Sequence, residues 1–233
     1  CHIVVDFKQG KIFYPQADGD NSGIIINRKT ICNFSAPENF VVLECITKLL
    51  EKGYRPEHIE LEKPWLLGHD PKGGYADIIV YEADTEFKAA NKNVLTIIEC
   101  KTAGQEYNKA LKETKSDGKQ LFSYWQQERS TKWLVVYASD FQEDENKVTH
   151  TISSICCTDD ENIKTAAQKD SSVLLYANAR NEIELFNTWD ETYDKRFCGD
   201  VIFGADTVAY QIGVKPLRKK DLKDFGKDDG IVN

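Results

Sequence analysis

The hydrophobic and polar positions of the chain predict a long amphipathic helix near the N-terminal end. The helix is predicted from Ser35 to about Lys52, because its apolar residues recur at helical spacing. Ser35 and Glu38 have the spacing of a capping box, and Gly53 follows the last apolar turn. The apolar stripe of this helix consists of Val42, Leu43, Ile46, Leu49 and Leu50.

Apolar runs after this helix predict four strands and a second helical stretch. The strands are predicted at residues 58–67, 76–81, 94–101 and 133–138. A helical stretch is predicted over 105–128 with an interruption near 116–118, and residues 68–74 are predicted to form a glycine-rich loop. The order helix, three strands, helix and strand is typical of an α/β sandwich, with a central mixed sheet flanked by helices.

Weaker β-type patterns lie on both sides of this core. They are found at residues 3–5, 24–26, 148–155, 173–177, 182–186 and 208–214. The chain is therefore predicted to have four parts: an N-terminal β-rich extension (1–34), a core (35–140), an accessory β-rich C-terminal lobe (141–214) and a charged linker to further domains (215–233).

The charge of the chain limits the kinds of partner that it can bind alone. The 233 residues carry a net charge of −8, and 29% of them are charged. An acidic chain repels DNA at long range, which argues against a stand-alone tight DNA-binding protein. It leaves open a domain that acts on DNA delivered by other domains.

Three further features exclude classes of function. Seven cysteines are scattered without a C-x-x-C pair, so we expect reduced thiols in a cytoplasmic protein. No apolar run approaches the roughly 20 residues that span a bilayer, so no membrane partner is expected. No Gly-Lys-Ser/Thr sequence is present, so no nucleotide site is expected in this chain.

Two acidic residues and a lysine lie in apolar strands, where a charge is costly unless it is paired or bound to a metal. Glu99 and Lys101 are two positions apart and share one face of their strand, opposite Cys100. Asp77 opens the preceding strand, and it meets them if the two strands pair. Two carboxylates beside a lysine can hold Mg²⁺ and poise a water molecule. The alternative is a strand-end aspartate with a Glu–Lys surface pair.

These residues belong to segments that resemble the PD-(D/E)XK nuclease superfamily. The segments are Gly74-Tyr-Ala-Asp77, Ile97-Ile-Glu99-Cys-Lys101 and Gln120-x-x-x-Tyr124. Over about residues 35–140 the chain is similar to the N-terminal endonuclease domain of type I restriction enzyme R subunits or of fused restriction-methyltransferases. The resemblance implies a restriction-endonuclease-like core. It also implies that Asp77 and Glu99 bind the metal and that Lys101 orients or activates the attacking water.

Gln120 and Tyr124 are four residues apart and share one face of a helix. We expect Leu121, Phe122 and Trp125 to form the opposite, buried side, which would leave Tyr124 partly exposed. An ordinary surface glutamine and tyrosine explain the pair equally well. The resemblance implies instead that both residues border the metal site and contact the DNA backbone.

Glu44 is a further accessory residue, because the resemblance implies a carboxylate on the first helix near the metal. The helical pattern places Glu44 beside Thr47 and Glu51, away from the apolar stripe. A position on a solvated face of the helix explains this pattern equally well.

Residues and resemblance together predict a Mg²⁺-dependent endodeoxyribonuclease domain of a type I-like restriction-modification enzyme, in the cytoplasm of a bacterium or archaeon. Mn²⁺ is expected to substitute for Mg²⁺. The expected partners are double-stranded DNA and the domains or subunits that supply motor, methyltransferase and specificity functions. Two alternatives remain: a catalytically silent DNA- or subunit-docking module of the same fold, and a RecB-like repair exonuclease.

Overall fold

A computed structural model of the chain describes residues 3–15, 23–51, 54–67, 70–82, 93–117, 119–157, 163–165 and 172–174. Its α-helices are α1 (Glu38–Glu51), α2 (Gln105–Asp117) and α3 (Lys119–Gln127). Its strands are β1 (Val4–Asp6), β2 (Lys11–Phe13), β3 (Ile25–Ile26), β4 (Ile59–Leu67), β5 (Asp70–Tyr81), β6 (Val94–Cys100), β7 (Trp133–Gln142), β8 (Lys147–Cys156), β9 (Ile163–Thr165) and β10 (Ser172–Leu174). Short 3-10 helices lie at Lys29–Ile31 and Pro56–His58.

The centre of the described fold is a six-stranded mixed sheet in the order β3-β4-β5-β6-β7-β8. The pairs β3–β4 and β6–β7 are parallel, and the other neighbours are antiparallel. β1 pairs with β2 and β9 pairs with β10 in two separate antiparallel pairs. The predicted α/β class with a central mixed sheet is confirmed.

Helices cover both faces of this sheet. On one face, Ile78 and Ile98 belong to the hydrophobic cluster that contains the apolar side of α1. On the other face, Ile79 and Ile97 cluster with Leu121 of α3 and with residues of α2. Successive side chains along a strand point to opposite faces, which explains why neighbours in sequence belong to different clusters.

The helix α1 is buried on almost all sides, with eleven of its fourteen residues buried. The N-terminal hairpin, formed by β1 and β2, adds to this burial, since its Ile12 belongs to the same hydrophobic cluster as α1, as does Phe34. The rings of Phe34 and Phe40 have centroids 4.9 Å apart. The Asn39 amide donates to the carbonyl of Thr30 at 2.9 Å. The predicted N-terminal extension therefore contributes to the core around α1.

Most predicted elements are confirmed with small shifts at their ends. The strands predicted at 58–67, 94–101, 133–138 and 148–155 correspond to β4, β6, β7 and β8. The interruption near 116–118 separates α2 from α3. The helix α1 begins three residues after the predicted start, and the Glu38 carboxylate contacts Lys101 at 2.8 Å instead of capping with Ser35.

The glycine-rich loop predicted at 68–74 is wrong for residues 70–74, which belong to β5. Gly74 pairs with Trp65, and Asp70 pairs with Leu67. Backbone hydrogen bonds form this hairpin, and they need no apolar side chains. Asp77 therefore lies within a long strand, seven residues after its first residue.

The predicted boundary between core and C-terminal lobe, at residue 140, lies inside β7. β8 then continues the central sheet. The strands predicted at 182–186 and 208–214, and the linker 215–233, lie outside the described residues. In the described ranges no helix has the length and apolarity that crossing a membrane requires.

Candidate metal centre

Asp77 and Glu99 lie side by side on neighbouring strands of the central sheet. The strands β5 and β6 are antiparallel, with Ile78 opposite Ile98. The next pair in this register is Asp77 and Glu99. Residues opposite each other in an antiparallel pair have Cβ atoms about 4.5–5.5 Å apart, with both side chains on one face. Both carboxylates therefore point to the same face of the sheet, as a shared metal site requires.

A backbone hydrogen bond holds the Asp77 side chain beside the last residue of β6. Its Oδ2 accepts a hydrogen bond from the backbone N–H of Cys100 at 2.7 Å. Glu99 is only 7% exposed. The side chain of Cys100 belongs to the cluster on the α1 face, as its alternation with Glu99 predicts.

Lys101 follows the last residue of β6, and its ammonium joins two carboxylates. Its Nζ lies 2.8 Å from Oε1 of Glu99 and 2.8 Å from Oε1 of Glu38. The same ammonium donates to the carbonyl of Cys100 at 2.9 Å. The backbone N–H of Lys101 donates to the carbonyl of Tyr137 on β7 at 2.9 Å, which fixes the lysine at the end of the strand.

Burial raises the pKa of both carboxyl groups. The pKa of Asp77 is raised well above its usual value, first by loss of solvent and then by the nearby charge of Glu99, although Lys101 opposes the shift. The pKa of Glu99 is raised by burial, and Lys101 partly offsets this effect. Without an additional positive charge, the site therefore holds protons more tightly than exposed carboxyl groups do.

Lys101 is held in its charged form. Burial alone lowers the pKa of this ammonium, but Glu99, Asp77 and Glu38 together outweigh burial and raise the pKa above its usual value. Lys101 is therefore a hydrogen-bond donor and a fixed positive charge at neutral pH. It is not suited to accept a proton from water.

One oxygen of this cluster has no partner among the described residues. Oε2 of Glu99 is buried and receives no hydrogen bond. A buried carboxylate oxygen that lacks a donor is costly, and a cation bound beside Asp77 would satisfy it. Hard oxygen ligands of this kind suit Mg²⁺ and Mn²⁺.

No group of three or more acidic, histidine or cysteine side chains in the described ranges is arranged as a ready metal cage. Mg²⁺ commonly uses only one or two carboxylates, and water and substrate phosphate complete its shell. The pair Asp77 and Glu99 fits that requirement. These are the residues that would hold the ion.

The sequence pattern did not identify two further acidic residues of this cluster. Glu38, interpreted as a capping residue, contacts Lys101 from the first turn of α1. Glu62 lies on β4 between residues that pair with Ile78 and Ala76, and so across from Asp77. It is close enough to Glu99 to raise the pKa of that residue. Both residues are distant from Asp77 in sequence, so no local motif marks them.

Glu62 also has an uncommon backbone conformation. Its φ is 53°, in the left-handed region that residues other than glycine rarely adopt. Its Oε2 accepts a hydrogen bond from Thr30 at 3.1 Å and lies 3.6 Å from the guanidinium of Arg28. These contacts connect the N-terminal segment to the acidic cluster.

The solvated position considered for Glu44 is wrong, because Glu44 is 1% exposed. Its carboxylate accepts a hydrogen bond from the hydroxyl of Tyr137 and lies 3.4 Å from Nδ1 of His150. The helical pattern failed here because α1 is buried on almost all sides, and residues of β7 and β8 cover the side that carries Glu44. The carboxylate of α1 that contacts Lys101 is that of Glu38, more than one helical turn before Glu44.

Tyr124 is fully buried, so the prediction that it is partly exposed is wrong. Its hydroxyl donates to the carbonyl of Tyr75, two residues before Asp77, at 2.9 Å. Burial raises the pKa of Tyr124, and Glu99 and Asp77 raise it further, which places the hydroxyl close to the acidic cluster. Gln120 is exposed.

The geometry of a helix explains this result. Tyr124 is three residues after Leu121, which places the two about 60° apart around the axis. The predicted buried side, with Leu121 and Trp125 buried and Phe122 partly buried, is confirmed, and it also includes Tyr124. The Gln120–Tyr124 pair therefore spans the border between the exposed and buried sides of α3.

We expect the substitution Tyr124→Phe to lower the free energy of unfolding by about 1 kcal/mol, because it leaves the buried Tyr75 carbonyl without its donor. Urea denaturation measures this change. Tyr107→Phe is the matched control, since the Tyr107 hydroxyl is buried in the same cluster without a partner among the described residues. Equal stability of Tyr124→Phe and wild type would contradict a structural role for this hydroxyl.

No protein-family model matches the chain, and a search of curated proteins finds no match either.

Proposed function

We propose that this chain is a metal-dependent endonuclease domain that hydrolyses phosphodiester bonds of double-stranded DNA. The observation that carries the proposal is the position of Asp77 and Glu99 opposite each other on β5 and β6, with the Lys101 ammonium 2.8 Å from Glu99. This arrangement joins two carboxylates on one face of a sheet to a fixed positive charge. It also leaves one buried carboxylate oxygen without a donor.

Each residue of the cluster has a distinct chemical role in this proposal. When bound, a divalent cation supplies Lewis-acid activation of water and of a phosphoryl oxygen. Asp77 and Glu99 would hold that cation, and the backbone N–H of Cys100 keeps Asp77 in place. Lys101 donates hydrogen bonds to the attacking water or to the phosphate oxygens, where negative charge develops. Glu38 and Glu99 orient the lysine by binding it from two sides.

The narrower proposal is that the domain belongs to a type I-like restriction-modification enzyme. The order of the three sequence segments supports it, and the order of helices and strands is compatible with it. The burial of Tyr124 removes one support, since a tyrosine without exposed surface does not contact the DNA backbone. Other domains or subunits would bring the DNA to this acidic chain and would supply the motor, methyltransferase and specificity functions.

The proposed activity is tested by incubating the chain, together with the domains that deliver DNA, with supercoiled and linear plasmid DNA. We expect Mg²⁺ or Mn²⁺ to produce nicked or linear circles, and excess EDTA to abolish the products. Shortening of linear DNA from its ends, with intact circles, would favour the RecB-like exonuclease. DNA binding without cleavage by the chain joined to its natural partners would favour the docking module.

A further inference from the structure

The N-terminal hairpin and the 3-10 helix after β3 enclose a pocket outside the acidic cluster. The pocket has a volume of about 290 Å³. It is lined by Lys11, Ile12, Phe13, Tyr14, Ile26, Lys29, Cys32 and Asn33. This volume is near the lower end of the range for small-ligand sites, about 300–1,000 Å³, and so suits a single small unit.

Backbone pairing fixes the walls of this pocket. The backbone N–H of Ile12 donates to the carbonyl of Cys32 at 3.1 Å, and Lys11 forms an isolated bridge with Asn33. The N–H of Phe34 donates to the carbonyl of Gly10 at 3.1 Å. The hairpin is therefore tied to the segment after the 3-10 helix on the opposite wall.

The lining of the pocket combines one exposed ring with two ammonium groups. Phe13 is 47% exposed, and among the described residues it is the large hydrophobic side chain that is exposed to solvent. Lys11 and Lys29 are exposed, and neither forms an ion pair with a carboxylate of the described residues. An aromatic face beside unneutralised cations is the pattern that binds a base and its phosphate.

Arg28, the residue before Lys29 of the pocket lining, reaches the acidic cluster. The Arg28 guanidinium stacks on the ring of Tyr75 at 4.1 Å and lies 3.6 Å from Glu62. Tyr75 precedes Asp77 by two residues on β5 and therefore shares its face of the sheet. Arg28 and Lys29 thus place two cationic side chains in succession, one at the acidic cluster and one at the pocket, in a chain whose net charge is −8.

We propose that this pocket binds one nucleotide of a DNA strand, with the base stacked on Phe13 and the phosphate between Lys11 and Lys29. The proposal rests on the proposed nuclease function. It assigns a substrate-binding role to the residues that line the pocket and to Arg28, which would contact the DNA backbone between the pocket and the metal centre. Stacking on Phe13 tolerates any base, so the pocket holds the strand without reading its sequence.

The test is binding of a fluorescein-labelled oligothymidine of about 12 nucleotides, followed by anisotropy in Ca²⁺ to prevent turnover. We expect Phe13→Ala to weaken binding about tenfold, and Phe13→Trp to retain it, because only the alanine variant loses the stacking surface. The double variant Lys11→Gln/Lys29→Gln should weaken binding and lower the salt slope by about 0.7, the value for one phosphate contact on a single strand. Thymidine monophosphate should compete more strongly than inorganic phosphate.

The control is Lys109→Gln/Lys112→Gln, which removes the same charge from exposed positions of α2. Three results would overturn the proposed role of the pocket. They are equal weakening by both double variants, wild-type affinity in Phe13→Ala, and no oligonucleotide binding by wild type. Asp77→Asn separates the two proposals, since it should stop cleavage and leave oligonucleotide binding intact. Normal cleavage by Asp77→Asn would overturn the nuclease assignment, whatever Phe13→Ala shows.

Discussion

Replacing Lys101 with methionine is expected to slow DNA cleavage by about a hundred- to a thousandfold, because it removes a donor aimed at the developing negative charge. Glu99→Gln is expected to have an effect at least as large, since it removes the charge that would hold the cation. Single-turnover nicking of supercoiled plasmid measures both rates. The measurement should use the chain with the domains that deliver DNA.

The controls for these variants are a lysine and a glutamate at exposed positions of α2. Lys112→Met and Glu106→Gln change exposed residues of α2 and should cleave like wild type. Circular dichroism should show that all four variants are folded. If Lys101→Met and Glu99→Gln cleave plasmid at the wild-type rate, the proposed roles of Lys101 and Glu99 are ruled out.

The second large effect is expected in stability. Glu44→Ala should lower the free energy of unfolding by about 2–4 kcal/mol, because it creates a cavity and removes the buried acceptor of the Tyr137 hydroxyl. Glu51→Ala, an exposed position of the same helix, should change stability by only about 0.5 kcal/mol. Urea denaturation followed by tryptophan fluorescence measures both changes.

The same variant tests whether Glu44 belongs to the metal centre. Glu44 contacts Tyr137 and His150, whereas Glu38 contacts Lys101. Cleavage per folded molecule should therefore be close to that of wild type in Glu44→Ala at low temperature. A large loss of cleavage in molecules that remain folded would instead place Glu44 among the accessory residues of the site.

The elements that the sequence predicts correctly are those whose signal is local. The runs around Ile78, Ile98 and Val135 are continuous and apolar because strands inside a two-sided sandwich are buried on both faces. The two-residue spacing of Glu99 and Lys101 likewise determines their shared face without knowledge of the fold. Asp77 was found because a charge in such a strand needs a partner.

What the sequence could not reveal depends on contacts between distant segments. Glu38 and Glu62 join Asp77 and Glu99 only through the packing of α1 and the pairing of β4 with β5. The burial of Glu44 depends on the packing of α1 against β7 and β8, where Tyr137 and His150 contact its carboxylate. These residues look like ordinary surface carboxylates until the fold brings their partners to them.

Tyr124 was misplaced for a different reason. Its four-residue spacing from Gln120 was interpreted as a shared exposed face, but residues three apart, such as Leu121 and Tyr124, are also neighbours on a helix. A polar hydroxyl on the buried side needs an acceptor, and the carbonyl of Tyr75 provides it. The sequence showed the helix and its apolar side, but not how much of the helix circumference is buried.

The most direct test of the metal centre is a titration of the chain with Mn²⁺, in which electron paramagnetic resonance measures the free ion. Wild type is expected to bind Mn²⁺, and the double variant Asp77→Asn/Glu99→Gln is expected to lose that site, while Glu106→Gln keeps it. Because burial raises the pKa of both carboxyl groups, binding should release protons and strengthen as the pH rises through those pKa values. Equal Mn²⁺ binding by wild type and the double variant, or no binding by wild type at any pH at which it is folded, would contradict the assignment of Asp77 and Glu99 as the metal ligands.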